Sequence, residues 1–159
     1  MIYSIEIGSV SYNFFIVYFW QNIFEKLPSG ARILDLGAGN LFVTKQAIEV
    51  QKRSGKKFEL YALDGADIAA DQIPEGVHFV QARGEDLALT HIPAGLDLVV
   101  SQYGLEYMNK EVVMEALSQK LKPDGQVVLI MHASDSGIIG KALYDLEQFD
   151  RAAESGIFG

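Results

Sequence analysis

Ile33-Leu-Asp-Leu-Gly-Ala-Gly-Asn-Leu-Phe42 is the stretch on which the reading of this chain turns. Apolar residues that suit a buried strand run into Gly37-x-Gly39, and helix-compatible sequence follows. Glycines there let the backbone turn tightly and approach a ligand with no Cβ in the way. The helix that follows aims its free N–H groups at the same space. Taken alone, a Gly-x-Gly after a strand also fits a purely structural turn. Both readings stand at this point.

Working outward, four more runs have the length and composition of buried strands: Phe58–Leu63, Val77–Gln81, Leu96–Ser101 and Gln126–Met131. Turn signals separate them at Pro28-Ser29-Gly30, Gly55, Pro74-Glu75-Gly76, Pro93-Ala94-Gly95 and Pro123-Asp124-Gly125. Helical spacing is found from Leu41 to Ser54, ended by Gly55, from Glu111 to Leu121, and from Lys141 to Ala153. Ile68–Gln72 is short, and Glu85–Leu89 reads as a turn or a single helical turn. Strands alternating with helices imply right-handed crossovers and a parallel sheet covered on both faces. The expected fold is a three-layer αβα, doubly wound, Rossmann-like sheet, mostly parallel. Such sheets bind ligands outside the carboxyl ends of their strands.

Asp64 sharpens the expectation. It ends the second strand, where an acid accepts the ribose hydroxyls of an adenosine ligand; capping a helix before Gly65-Ala66 is the other reading. A dinucleotide fingerprint would want a small residue at position 42, and Phe42 stands there. The ring argues against NAD and FAD, as does the absence of a Tyr-x-x-x-Lys relay.

Composition narrows the class. The chain has 159 residues, which suits a single domain, and its 49% hydrophobic content can fill a core. Thirteen Lys and Arg against twenty-one Asp and Glu give a formal charge of −8, so a broad nucleic-acid footprint is not expected. The basic group Lys52, Arg53, Lys56 and Lys57 reads as a solvated helix end. With no cysteine, disulfides and thiolate chemistry are excluded. His78, His91 and His132 show no metal-ligand spacing. The aromatic run Phe14–Trp20 is too short to span a bilayer and lacks the basic flank of a signal. It is expected to be a buried or docking helix, with no membrane partner and a cytoplasmic location.

In this order the motifs resemble those of class I S-adenosylmethionine-dependent methyltransferases, of the small-molecule type with a Methyltransf-11/25-like core. Ile33–Gly39 is similar to the family's first motif, Leu60-Tyr-Ala-Leu-Asp64 to the second, and Val80-Gln-Ala-Arg-Gly-Glu-Asp-Leu87 to the adenine-contacting segment. Leu96–Tyr107 resembles the fourth-strand motif, and Leu121–Ile130 the approach to the fifth. The resemblance covers roughly residues 12 to 135 and implies the strand order 3-2-1-4-5. It divides the single domain into an amino-terminal helical segment (1–30), a cofactor-binding core (31–135) and a carboxyl-terminal helix (136–159).

The resemblance also implies roles. S-adenosylmethionine would be the cofactor and S-adenosylhomocysteine the product, with a small-molecule methyl acceptor. Asp35 would hydrogen-bond, directly or through water, toward the methionine amino group, and Gly37, Ala38 and Gly39 would line the methionine and ribose. Asp64 would hold the ribose hydroxyls, with Gly65 beside the adenine. Glu85, Asp86 and Leu87 would serve the base, and Ser101 and Gln102 would close the methionine side. Tyr103, Glu106 and Tyr107 would face the acceptor, Tyr103 and Glu106 as the catalytic pair; His132 is a further candidate there. In-line alignment supplies most of the acceleration in such a transfer, and carboxylates and aromatic faces suit a sulfonium cation.

Two departures stand out. The family's third glycine is replaced by Leu41. Helical angles there avoid a left-handed penalty of about 1–2 kcal/mol, so a helical Leu41 is expected, its side chain in local packing or in the pocket. The usual last two strands are also expected to be lacking after residues 141–153, which leaves the fifth strand as an edge. Such an edge invites pairing into a homodimer, unless Ile2–Ile7 covers it. Both departures keep an alternative open, a catalytically inactive methyltransferase-like binding or oligomerisation module.

Overall fold

A computed structural model describes residues 2–3 and 9–131 of the chain. One sheet holds six strands: β1 (Ile2–Tyr3), β2 (Arg32–Leu36), β3 (Glu59–Asp64), β4 (Val77–Gln81), β5 (Leu96–Gln102) and β6 (Leu121–Ile130). Their order is β1-β6-β5-β2-β3-β4, and every pair is parallel. Counted over the five strands expected from the sequence, with β2 first, this is 3-2-1-4-5. The helices are α1 (Ser9–Glu25), α2 (Phe42–Ser54) and α3 (Lys110–Lys120). The expected helix Lys141–Ala153, the chain after it and His132 lie outside the described residues.

Alternation along the strands divides the core in two. Ile33, Leu60, Leu98, Val100, Val128 and Ile130 face α1 and α2, meeting Ile16, Trp20 and Phe24 from one and Val43, Ala47 and Val50 from the other. Leu34, Leu36, Leu63, Val99 and Leu129 face the opposite way, onto Val113, Ala116 and Leu117 of α3. Spacing of three and four residues gives each helix its apolar stripe. The aromatic run in α1 is thus part of a core helix, although Phe14 is 79% exposed on its other side. Among the described residues no helix is long and apolar enough to cross a membrane.

Helix ends follow local chemistry. Gly55 takes φ 74°, and its N–H donates to Gln51 O to close α2. Asn109 caps α3 by accepting from Val112 N. The basic group around the end of α2 is more than a solvated helix end. Lys56 Nζ donates to the carbonyls of Glu25 and Leu27, and Arg53 pairs with Glu25, so these side chains tie the end of α1 to the end of α2.

β6 begins five residues earlier than its apolar run suggests. Leu121 pairs with Leu96, and the register then shifts between Leu96 and Leu98. Gly125 makes that passage feasible, since a Cβ there would lie 2.8 Å from Leu96 O. On the far side of β6, Ile2 pairs with Leu129 and Tyr3 with Ile130. The amino-terminal stretch therefore covers that edge along these two residues.

Candidate functional site

All six strands end at the same rim, and the loops that follow β2, β3, β4 and β5 enclose a cavity of about 460 Å³. Its walls are Gly37 and Gly39 after β2, Asp64 and Gly65 after β3, Arg83, Gly84 and Glu85 after β4, and Gln102, Tyr103, Gly104, Tyr107 and Met108 after β5. The volume falls in the range of small-molecule sites.

Backbone fills the floor where side chains would obstruct it. Gly37 has φ 70°, and a Cβ on it would lie 3.0 Å from Gly104 Cα. A Cβ on Gly104 would in turn meet Leu36 O and Ser101 Oγ, each at 3.0 Å. The loops after β2 and β5 therefore touch backbone to backbone. Gly39, at φ 49°, has open space where its Cβ would be.

Asp64 ties two sides of the cavity together. Its Oδ2 accepts from Gly39 N at 2.7 Å and its Oδ1 from Ala66 N at 2.8 Å. A carboxylate offers about four lone-pair directions, so capacity remains on both oxygens. The helix-capping reading of Asp64 reduces to this local turn, because only a short 3-10 segment, Ala70–Gln72, follows.

Asp35 sits elsewhere. It is 2% exposed, and its Oδ2 accepts from both Thr44 N (3.0 Å) and Thr44 Oγ1 (2.7 Å). It thereby serves the first turn of α2, whose N-cap position is held by Leu41, a residue without a capping side chain. Asn40 Oδ1 supplies a second acceptor, to Phe42 N. Burial pushes the Asp35 carboxyl up to about 6, against the pull of the Thr44 hydrogen bonds.

Leu41 departs from expectation. Its φ is 63° and ψ 28°, so the backbone is left-handed rather than helical. Its N–H reaches Ala38 O and its carbonyl accepts from Lys45 N, so two hydrogen bonds hold the conformation that a glycine would adopt without strain. The side chain is fully buried with Ala38 and Ala62, backed by Ile68, Ile73, Val77 and Phe79. It packs below the loop and takes no part in the cavity wall.

After β4, the wall lies two residues earlier in sequence than the base-contacting residues the resemblance implied. Arg83, Gly84 and Glu85 line the cavity, whereas Asp86 is exposed outside it and Leu87 is buried beneath. Glu85 Oε1 accepts from Asn109 N, which holds its carboxyl below the usual range and clips this turn to the start of α3. Gly84 leaves room for Met108, whose Sδ would be 2.2 Å from a Cβ there. Met108 and its contact with Gly84 escaped the sequence reading because the pairing spans two loops.

After β5, Ser101 is buried and accepts from Leu105 N through Oγ, shaping the loop from beneath. Gln102 and Tyr103 reach the wall, as does Tyr107, which is 79% exposed; Glu106 stands outside it. Tyr103 also has a left-handed backbone, φ 58°, and its N–H donates to Ile130 O. Of the site residues expected from the sequence, the cavity thus gathers Gly37, Gly39, Asp64, Gly65, Glu85, Gln102, Tyr103 and Tyr107. Asp35, Ala38, Asp86, Leu87, Ser101 and Glu106 lie behind or beside it.

This architecture recurs in solved methyltransferases. A protein described as a type II methyltransferase, from Anaeromyxobacter dehalogenans, matches with a TM-score of 0.56 at 19% identity, over 72% of this chain and 46% of its own. The S-adenosylmethionine-dependent methyltransferase of Agrobacterium tumefaciens matches at 0.58 and 11% identity, over 82% of this chain and 48% of its own. Phosphoethanolamine N-methyltransferase 2 of Haemonchus contortus, solved with S-adenosylmethionine, matches at 0.55 and 17% identity, over 88% of this chain and 36% of its own. The chain spans less than half the length of each of these three proteins. At such identities the likeness is one of fold: this chain has the fold of class I, S-adenosylmethionine-dependent methyltransferases. No family model and no curated protein matches the sequence.

Proposed function

We propose that the chain binds S-adenosylmethionine in this cavity and transfers its methyl group to a small-molecule acceptor by in-line displacement. The observation that carries the reading is the floor and wall built by Gly37, Gly39 and Asp64, a side-chain-free cradle beside a carboxylate with acceptor capacity to spare. The residues fit the nucleoside: Leu41 turns away from the space, and Gly65 leaves its own side of the wall open. When bound, the cofactor supplies a methyl group on a positively charged sulfur, so no covalent intermediate on the protein is needed.

This chain's own residues then bind and orient. Asp64 accepts from the ribose hydroxyls, Gly65, Arg83 and Gly84 flank the base, and Gln102 bounds the amino-acid end. The faces of Tyr103 and Tyr107 stabilise the cation and position the acceptor. Asp35 and Ser101 act one layer back, holding the loops that form the floor. Glu106, next to Tyr107, is the proposed base on the acceptor side.

Titration with S-adenosylhomocysteine by calorimetry tests the reading. Saturable heat at one site per chain supports it, and its absence overturns it. One observation favours a second reading, a module that binds the nucleoside without transferring a methyl. The carboxylates in the wall, Asp64 and Glu85, are both engaged by backbone N–H groups, and Glu106 stands outside. Binding without turnover on any acceptor offered would select that reading.

A further inference from the structure

The sequence places Trp20 and Gln102 far apart, and the fold joins them. Trp20 is fully buried on α1, with its ring against Phe19 at 5.1 Å edge-on and Phe24 at 6.3 Å stacked. A buried indole N–H requires an acceptor. It finds Gln102 Oε1 at 2.6 Å, across 82 residues of sequence. Gln102 is the last residue of β5 and part of the cavity wall.

The chemistry of the pair fixes the amide. An indole N–H can only donate, whereas a carboxamide has one accepting oxygen and two donors on nitrogen. The oxygen must therefore face Trp20, and the nitrogen is held on the other side. No hydrogen bond among the described residues takes those two N–H donors. The result is a carboxamide fixed in orientation on a residue that lines the cavity, whose other polar side chains among the described residues are Asp64, Glu85, Arg83 and two tyrosines.

We infer that Trp20 is a positioning residue: by taking the Gln102 oxygen, it aims the Gln102 amide nitrogen at the cavity to receive the α-carboxylate of an amino-acid-bearing nucleoside. The inference rests on the proposed cofactor reading and adds a specificity device to it. The device selects ligands that carry the carboxylate over nucleoside thioethers that lack it. Neither residue takes part in the chemistry of transfer.

Two ligands separate this role from plain packing. S-adenosylhomocysteine carries the amino-acid end, and 5′-methylthioadenosine keeps the same nucleoside and sulfur without it. In calorimetric titrations, Trp20→Phe is expected to weaken S-adenosylhomocysteine about tenfold, the size of one charge-assisted hydrogen bond. Methylthioadenosine should bind it as it binds the wild type. Gln102→Leu should give the same pattern, and the double variant no further loss. Replacing Trp20 by benzothienylalanine, which keeps the ring and removes only the N–H, repeats the test should the phenylalanine variant fail to fold.

Equal weakening of both ligands would show that Trp20 merely supports the structure and would overturn the inference. Unchanged S-adenosylhomocysteine affinity in the Trp20 variants would overturn it as well. A wild type that binds neither ligand would remove the cofactor reading itself, an outcome distinct from these two.

Discussion

The ends of β2 and β3 are neighbours in the sheet, and each carries an aspartate, yet the two carboxylates do opposite things. Asp35 is enclosed, and one of its oxygens receives both donors of Thr44 while the other, Oδ1, is buried with no hydrogen-bond partner among the described residues. Asp64 stands at the cavity, accepts one backbone N–H on each oxygen and keeps capacity for a ligand. What separates them is the chain that follows. After β2 it turns into α2, and the helix start draws the carboxylate beneath it. After β3 no helix takes up the acid. Similar strand ends therefore give one group that holds the fold and one free to meet a ligand.

The sharpest break in this comparison is Asp35→Ala. Two buried donors on Thr44 lose their acceptor, at about 1–3 kcal/mol each. Urea unfolding should therefore show a loss of about 4 kcal/mol, and Asp64→Ala should show far less. A second measurement uses pH. The folded Asp35 carboxyl titrates near 6, above its ordinary 3.8. Its contribution to stability is fully present below about pH 4 and is lost as the pH rises through about 6, in all about 3 kcal/mol. The stability difference between the wild type and Asp35→Asn should shift by this amount between pH 4 and pH 7. A flat difference would mean that the carboxyl titrates normally.

Asp64→Ala sharpens the other half. Equilibrium dialysis with labelled S-adenosylmethionine should show at least a tenfold loss of affinity, about 1.5–3 kcal/mol for bonds to a charged acceptor. Asp35→Asn should bind nearly as the wild type does. The smallest effect is expected at Asn40, the exposed acceptor for Phe42 N at the same helix start. Asn40→Ala should lower the melting stability by only about 0.5–1 kcal/mol. If it matches Asp35→Ala, burial is not what distinguishes the two acceptors.

Much of the sheet was legible because buried parallel strands write themselves as short apolar runs. Val77–Gln81 has the expected bounds, and the motif order implied the strand order that the structure has. The start of β6 was hidden because Pro123-Asp124-Gly125 reads as a turn, while the register shift lets those residues remain in the ladder. Leu41 illustrates a stronger conflict. Local preference assigns a leucine helical angles, but burial against Ala38, Ala62 and their neighbours holds it left-handed. In the cavity, glycines and strand-end residues were readable from the pattern. Met108 against Gly84, and Trp20 against Gln102, were not, since periodicity carries no information on pairs from separate elements.

Trp20 is the single tryptophan in the chain. Its enclosed ring should emit at short wavelength, and its N–H is tied to a residue on the rim of the cavity. The protein therefore contains a native optical probe at that rim. Whatever pulls the Gln102 carboxamide away from the indole should alter the emission, with no label added and no other indole to obscure the signal.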